Sequence, residues 1–114
     1  TLERLDDLKV VNVTEFSKQL TALEADVSGF TPSELEYFRL LQGYRFTLTS
    51  NYTLAKEHLE SMVTSVKDEN ILIRVKALLV NVQVLTQEYR SAFIYLEEIE
   101  EGIDMYIKIL EQVV

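Results

Sequence analysis

The chain has 114 residues, the usual size of one domain, and its 47% of hydrophobic residues with only three glycines and one proline favours an all-α fold. The net charge of −8 argues against nucleic acid and anionic membrane surfaces as partners, because phosphate groups are bound by clustered lysines and arginines. The lack of cysteine excludes disulfides and thiolate metal sites, and no apolar run approaches the ~20 residues of a membrane span, so we expect no membrane insertion of this sequence.

The N-terminal region, residues 1–28, predicts two helices. Residues 2–9 form a short one with leucines near one face. Asn12 and Glu15 then have the spacing of a capping box, in which the Asn12 side chain accepts from a backbone N–H and Glu15 reaches back. Apolar residues at spacings of three and four predict a longer helix from about residue 13 to residue 27. These residues are Val13, Phe16, Leu20, Leu23 and Val27.

Residues 33–66 predict the first of two helical hairpins. Its first helix has the clearest start signal in the chain, with Thr31 as N-cap, a proline at the first helical position and Glu34 at the third. That helix is apolar on more than one side, which indicates packing against several neighbours. The second helix begins after Asn51 and carries the small residue Ala55 on its apolar face, which favours a close approach of the two helices.

Residues 69–101 predict the second hairpin. Its first helix is the most apolar segment of the chain, and Asp68 and Asn70 are two alternative N-caps for it. Its second helix repeats the pattern of the second helix of the first hairpin. Gly102 interrupts this pattern, and a C-terminal helix over residues 103–114 either opens a third hairpin or extends the helix before it.

The two hairpins are related by a repeat of 37 residues, and a period of about 20 to 50 residues indicates stacked helical units. The pattern resembles the tetratricopeptide repeat (TPR), which has a small residue and an aromatic in its first helix and Tyr, Ala and a large apolar residue in its second. The resemblance implies a TPR-like right-handed superhelix of antiparallel hairpins with about five or six helices. The first hairpin fills the TPR positions with Gly43, Phe46, Tyr52, Ala55, Leu59 and Met62, and the second with Val80, Gln83, Tyr89, Ala92, Leu96 and Ile99.

A narrower resemblance covers the runs EFSKQLTALE and TPSELEYFRLLQGYRFTLTSNYTLAKEHLESM. Together they are similar to the N-terminal sensor region of bacterial membrane-bound signalling proteins that end in a GGDEF diguanylate cyclase domain. This resemblance implies a non-catalytic sensor or protein-interaction domain, in the periplasmic part of a membrane protein, that regulates an output domain outside this sequence. The alternative is a stand-alone cytoplasmic TPR adaptor that binds peptides. No GGDEF motif occurs in the chain, so no cyclase residue is carried over.

The residues that could perform chemistry favour no enzyme, no metal site and no cofactor. His58 is the single histidine, and one histidine without cysteine cannot build a zinc site of the usual kind. We interpret it as a helix-surface histidine. An acidic cluster follows at the end of the second helix of the second hairpin, where a solvated face is expected because calcium loops need irregular backbone. The cluster consists of Glu97, Glu98, Glu100, Glu101 and Asp104.

The TPR resemblance places a ligand or peptide groove on the concave side, lined by the first helices of the two hairpins. Tyrosines there offer apolar area and a polar tip to an extended peptide or a small molecule. The alternative is that the tyrosines belong to the core or pack against the N-terminal helix. A second copy of the chain is a further candidate partner, since the end helices of such a stack leave apolar stripes exposed. The predicted groove residues are Tyr37, Leu40, Tyr44, Arg74 and Asn81.

Overall fold

The computed structural model describes the backbone of residues 2–113 and the side chains of residues 2–104 and 111. All regular secondary structure in this part of the chain is helical, which confirms the all-α prediction. A short 3-10 helix, Glu24–Gly29, connects the second and third α-helices. The six α-helices are α1 (Leu2–Val11), α2 (Val13–Leu23), α3 (Pro32–Leu48), α4 (Tyr52–Val63), α5 (Glu69–Leu85) and α6 (Tyr89–Val113).

The predicted start signals of α2 and α3 are present in the structure. The Asn12 side chain accepts a hydrogen bond from the Glu15 amide at 3.1 Å, but the Glu15 carboxylate accepts from Gln19 instead of reaching back. At α3 the capping box is complete: the Thr31 hydroxyl accepts from the Glu34 amide at 3.2 Å, and the Glu34 carboxylate accepts from the Thr31 amide at 3.0 Å. Both caps satisfy backbone donors that the first helical turn leaves free.

The turns that end α3 and α5 have the same geometry. Ser50 and Gln87, 37 residues apart, have φ values of 63° and 65°, in the left-handed region that non-glycine residues seldom adopt. Each lies at the position of a Schellman motif where the chain leaves the helix, and the next amide donates to the carbonyl five residues back. These bonds run from Asn51 to Phe46 at 2.8 Å and from Glu88 to Gln83 at 2.7 Å.

The helices pack in chain order, so that α3 lies against α4 and α5, α4 against α5, and α5 against α6, while α1 and α2 cover α3. Two buried clusters result. The smaller core joins α1, α2 and α3 and consists of Leu2, Leu5, Phe16, Leu20, Phe38 and Leu41. The larger core joins α3, α4 and α5 and consists of Leu40, Ala55, Leu59, Met62, Ile71, Val75, Leu78, Leu79 and Val82.

The two hairpins differ at the position where a glycine lies in the first helix of the first hairpin. A Cβ placed on Gly43 of α3 would lie 2.8 Å from Cδ2 of Leu59, so only glycine permits this approach of α3 to α4. Val80 takes the place of Gly43 in the second hairpin, and Leu96, the counterpart of the fully buried Leu59, is 40% exposed. Among the described residues no further helix packs on the far side of α6, and α6 is less covered than α4.

Two forms were predicted for the C-terminal residues, the start of a third hairpin and an extension of the preceding helix, and the structure shows the extension. Gly102 does not end a helix, since α6 runs without interruption from Tyr89 to Val113, and residues 103–113 extend the second hairpin rather than forming a separate helix. Of the two candidate caps of α5, Asp68 is the one used: its carboxylate accepts from the amides of Asn70 and Ile71. The side chains of residues 105–110, 112 and 113 in this C-terminal part lie outside the described residues.

Candidate functional site

Three of the predicted groove residues lie together. Tyr37 and Tyr44 extend from α3, seven residues or about two helical turns apart, and Arg74 extends from α5 toward them. The Arg74 guanidinium lies 5.9 Å from the ring centroid of Tyr37 and 5.5 Å from that of Tyr44, within reach of a cation–π interaction with each. The first helices of the two hairpins therefore build one shared aromatic and cationic surface.

Helix α1 covers this surface. The Asp6 carboxylate accepts two parallel hydrogen bonds from the Arg74 guanidinium, at 2.8 and 2.9 Å, and a third from the Tyr37 hydroxyl at 2.6 Å. Lys9, one turn further along α1, pairs with Asp6 at 2.5 Å and lies 4.7 Å from the Tyr44 ring centroid. We call Asp6, Lys9, Tyr37, Tyr44 and Arg74 the groove cluster. In it, a carboxylate from α1 covers the surface that the side chains of α3 and α5 form.

The hydrogen bonds of the groove cluster keep Asp6 and Arg74 charged and keep the Tyr37 hydroxyl protonated. Burial acts to raise the pKa of Asp6, but hydrogen bonds from Arg74, Lys9 and Tyr37 outweigh burial and hold that pKa well below its usual range. Burial and the hydrogen bond to Asp6 raise the pKa of Tyr37 to about 12. The hydrogen bond to Asp6 likewise raises the pKa of Arg74. The bidentate geometry is the strongest form of such a pair.

The other two predicted groove residues lie elsewhere. Leu40 is fully buried in the larger core and offers no surface to a ligand. Asn81 lies exposed on α5, outside the hydrogen bonds of the groove cluster. Asp6 and Lys9 were not among the predicted site residues. Their spacing of three marks them as neighbours on one helix face, but periodicity within α1 does not indicate which other helix that face meets.

A second candidate surface is one side of α6. Tyr89, Phe93, Leu96 and Ile103 recur at spacings of four, three and seven, so they share one face of the helix. Their side chains are 54%, 66%, 40% and 45% exposed, in that order. Ala92, which is buried, marks the side of α6 that packs on α5. We call the four exposed apolar residues the α6 stripe.

The α6 stripe repeats a face that is covered elsewhere in the molecule. Leu59 of α4 belongs to the larger core, which joins α3, α4 and α5, and Tyr52 and Val66 pack against that core. Each of these three residues has a counterpart 37 positions later. The counterparts are Tyr89, Leu96 and Ile103, which all belong to the α6 stripe. The face that α4 buries in the larger core is therefore the face that α6 leaves open.

Carboxylates border the α6 stripe. Glu100 lies inside it, between Leu96 and Ile103, and three further acids lie on its flank away from α5. Glu98 belongs to the other side of α6, where it pairs with Lys76 of α5 at 3.0 Å. From Tyr89 to Asp104 the only cationic residue of the sequence is Arg90. The exposed acids of the α6 stripe are Glu97, Glu100, Glu101 and Asp104.

Next to Ile103, the α5 and α6 helices leave an open groove of about 580 Å³. Its walls are mainly apolar, and a side chain of the α6 stripe forms part of its rim. A glycine on α6 widens it. The lining residues are Asp68, Glu69, Asn70, Leu72, Ile73 and Lys76 from the first helix and Glu98, Ile99, Gly102 and Ile103 from the second.

The single histidine has a structural role. Nε2 of His58 lies 2.7 Å from the backbone carbonyl oxygen of Arg39, to which it donates, and the ring stacks edge-on against Phe46. Burial lowers the pKa of His58. Within residues 2–104 and 111, no group of three or more histidine or acidic side chains is arranged to hold a metal ion. None of the described helices is apolar over a length that could cross a bilayer.

Known proteins provide no relative for comparison. No protein-family model matches the chain, and no match is found among curated proteins or solved structures.

Proposed function

We propose that the chain is a non-catalytic helical-repeat domain that works by docking another helix on the α6 stripe. The observation that carries this proposal is the register between α4 and α6, in which Leu59 is fully buried by its neighbours while Leu96 at the same repeat position is exposed. Stacked helical hairpins bury such a face against the first helix of the next unit, and an open end face is where a stack accepts further structure.

The TPR-like arrangement is part of the same proposal. It is supported by the 37-residue spacing of the two left-handed turn residues, Ser50 and Gln87, and by the packing of each hairpin on the next. The close contact between Gly43 and Leu59 supports it as well, since the repeat requires a small residue at this crossing. The resemblance to the sensor region of GGDEF signalling proteins supports a role in regulating an output domain, with the periplasm as the proposed location.

The groove cluster favours this proposal over a peptide-binding adaptor. An extended peptide in the concave groove would have to displace α1, and α1 is held there by the Asp6–Arg74 pair and by the buried leucines Leu2 and Leu5. Breaking a paired, partly buried charge is costly because it leaves the partner charge without compensation. The α6 stripe, in contrast, is accessible without any rearrangement.

The test is a double substitution in the full-length protein that contains this chain, Tyr89→Ser with Phe93→Ser. The matched control is Val10→Ser with Val11→Ser, which removes two apolar side chains from α1 that are even more exposed than Tyr89 and Phe93. The reading frame is determined first, since an output domain of GGDEF type in the same frame supports the sensor role and a frame without any output domain overturns it. We expect the α6 double variant to change diguanylate cyclase activity by at least about fivefold.

The control variant is expected to retain the parent activity. Circular dichroism verifies that both variants keep the helical content of the parent. Unchanged activity of the α6 variant, in a protein that is folded, would show that docking on the α6 stripe is not what regulates the output.

A further inference from the structure

The α6 stripe also indicates the chemistry of its partner, if docking on this face is indeed the function proposed above. We propose that the occupant is a cationic amphipathic helix from another segment or protein, rather than a second copy of this chain. The alignment of α6 with α4 indicates the apolar spacing of the partner helix. The charges around the stripe indicate the sign of the partner's charge.

The shape follows from the helix that covers the corresponding face of α4. In the larger core α4 packs on α5, a helix of 17 residues whose buried side chains include Val75, Leu78 and Val82, at spacings of three and four. Because α6 repeats Tyr52 and Leu59 as Tyr89 and Leu96, a helix with the same apolar spacing fits the stripe.

The α6 face departs from the α4 face at two positions, and both departures bear on the partner. Val63, which packs against the larger core, is replaced by Glu100. Lys56, which pairs with Glu88, is replaced by Phe93. The stripe thus loses a cation and gains a carboxylate within its apolar surface. A carboxylate buried by a docked helix costs free energy unless a partner cation meets it, so the occupant must place a lysine or arginine opposite Glu100.

The charges that flank the α6 stripe are negative, like that of Glu100. Three further exposed acids, Glu97, Glu101 and Asp104, flank the stripe, and the chain as a whole has a net charge of −8. Two copies docked through α6 would bring these acids toward each other, and like charges across an interface disfavour the wrong partner. A helix with basic flanks instead gains attraction on approach and a favourable pairing once bound.

The groove beside Ile103 provides an anchor for such a helix. Its apolar walls, Leu72, Ile73 and Ile99, accept a large apolar side chain, and its volume of about 580 Å³ leaves room for one. Large apolar side chains seated in pockets supply most of the free energy of helix docking.

The first measurement uses a peptide of 17 residues, the length of α5, with leucines at the spacing of α5, lysines on both flanks and one tryptophan. Because this chain has no tryptophan, the emission of the peptide reports binding directly. The comparison peptide carries glutamates in place of the lysines. We expect the lysine peptide to bind to the folded chain with an affinity that falls as salt is raised, and the glutamate peptide to bind at least about tenfold more weakly.

Two pairs of matched variants locate the binding surface. Phe93→Ser is expected to weaken lysine-peptide binding at least about tenfold, whereas Val10→Ser leaves it unchanged. The triple variant Glu97→Gln, Glu100→Gln and Asp104→Asn is expected to weaken binding and its salt dependence, whereas Glu3→Gln, Asp7→Asn and Asp26→Asn, with the same change in net charge, are expected to do neither. Equal effects of the two triple variants would mean attraction to the overall charge alone and would overturn the inference.

Sedimentation of the chain without peptide tests whether a second copy of the chain is the occupant. A dimer that Phe93→Ser converts to monomer would make a second copy the occupant and would overturn the inference while leaving docking on α6 intact. Failure of the lysine peptide to bind, together with an effect of the Tyr89 and Phe93 substitutions on output, would likewise overturn only the cationic partner. Unchanged output in that double variant would overturn the proposed function itself.

Discussion

Two helical glycines, Gly43 and Gly102, have opposite surroundings, so replacing them with alanine should have opposite effects. A Cβ at Gly43 would meet Cδ2 of Leu59 at 2.8 Å, and Leu59 is fully buried and has little room to move, so we expect Gly43→Ala to destabilise the fold by about 1–3 kcal/mol. Nothing lies within 4 Å of a Cβ at Gly102, and Gly102→Ala should stabilise α6 by about 0.5–1 kcal/mol. Chemical denaturation of both variants measures the difference, and equal midpoints would contradict the close crossing of α3 and α4.

The two left-handed turn residues offer a second test at this scale. Ser50 and Gln87 have φ values of 63° and 65°, where a side chain is strained and glycine is not. We therefore expect Ser50→Gly and Gln87→Gly each to raise the free energy of unfolding by up to about 1 kcal/mol. Thr49→Gly is the control, because Thr49 has a φ of −98° and gains nothing from glycine. Stabilisation by the control as large as that by the two turn variants would argue against the strain.

At the residue scale the sequence predicted most of what the structure contains. The cap at Asn12 and the box of Thr31 with Glu34 are local, since donor and acceptor lie within three residues, and both predictions are confirmed. The left-handed conformation of Ser50 and Gln87 was not predicted. Glycine is the usual signal for it, and neither residue carries that signal.

At the scale of elements, the contact of α1 with α3 and α5 should make stability depend on acid. The folded pKa of Asp6 is lowered, so the stabilisation from its ionised form is complete above the unfolded value of about 3.9 and is lost as the pH falls toward the folded pKa. We expect the parent chain to lose stability on acidification below about pH 4. Asp6→Asn should cost about 1–3 kcal/mol at neutral pH and reduce that acid dependence.

Asp7→Asn is the control for this prediction, because Asp7 is the exposed neighbour of Asp6 on α1. Urea denaturation between pH 3 and pH 7 measures both variants and the parent. A loss in Asp7→Asn that matches the loss in Asp6→Asn would show that helix α1 itself, rather than the bidentate pair, is responsible.

The predictability of the elements was uneven for a physical reason. The apolar spacings of α2, α3 and α5 are determined within each helix, and these helices begin close to where they were predicted, although α2 ends at Leu23, where a 3-10 helix takes over, rather than at residue 27. The meeting of Tyr37, Tyr44 and Arg74 also followed from the repeat. Packing of the tyrosines against the N-terminal helix was the stated alternative, and the structure shows it. The pairing of Asp6 with Arg74 was not predicted, because the two are separated by 68 residues, and no local pattern relates residues so far apart.

For the whole molecule, exposed apolar side chains occur at both ends of the stack, as Val10 and Val11 of α1 and as the α6 stripe. At the N-terminal end, α1 buries Leu2 and Leu5 in the smaller core and closes the groove. At the C-terminal end, the α6 stripe is open. The acidic cluster that the sequence suggested to be a solvated face borders that stripe, and the proposed partner chemistry comes from this juxtaposition, which requires the fold to be seen.

The bond between Asp6 and Arg74 has a further consequence for how the chain folds. A stack in which each unit touches only the next one can melt from either end, with little cooperation between distant units. Here α1 is tied to α5 across 68 residues of sequence, so forming this contact has the loop-closure cost of that separation, and we expect the two core clusters to unfold more cooperatively than in a stack without it. Helix α6 stands outside this tie. Its amides should be the first to exchange with solvent. Helix α6, which carries the proposed docking surface, would then be the least protected part of an otherwise cooperative unit.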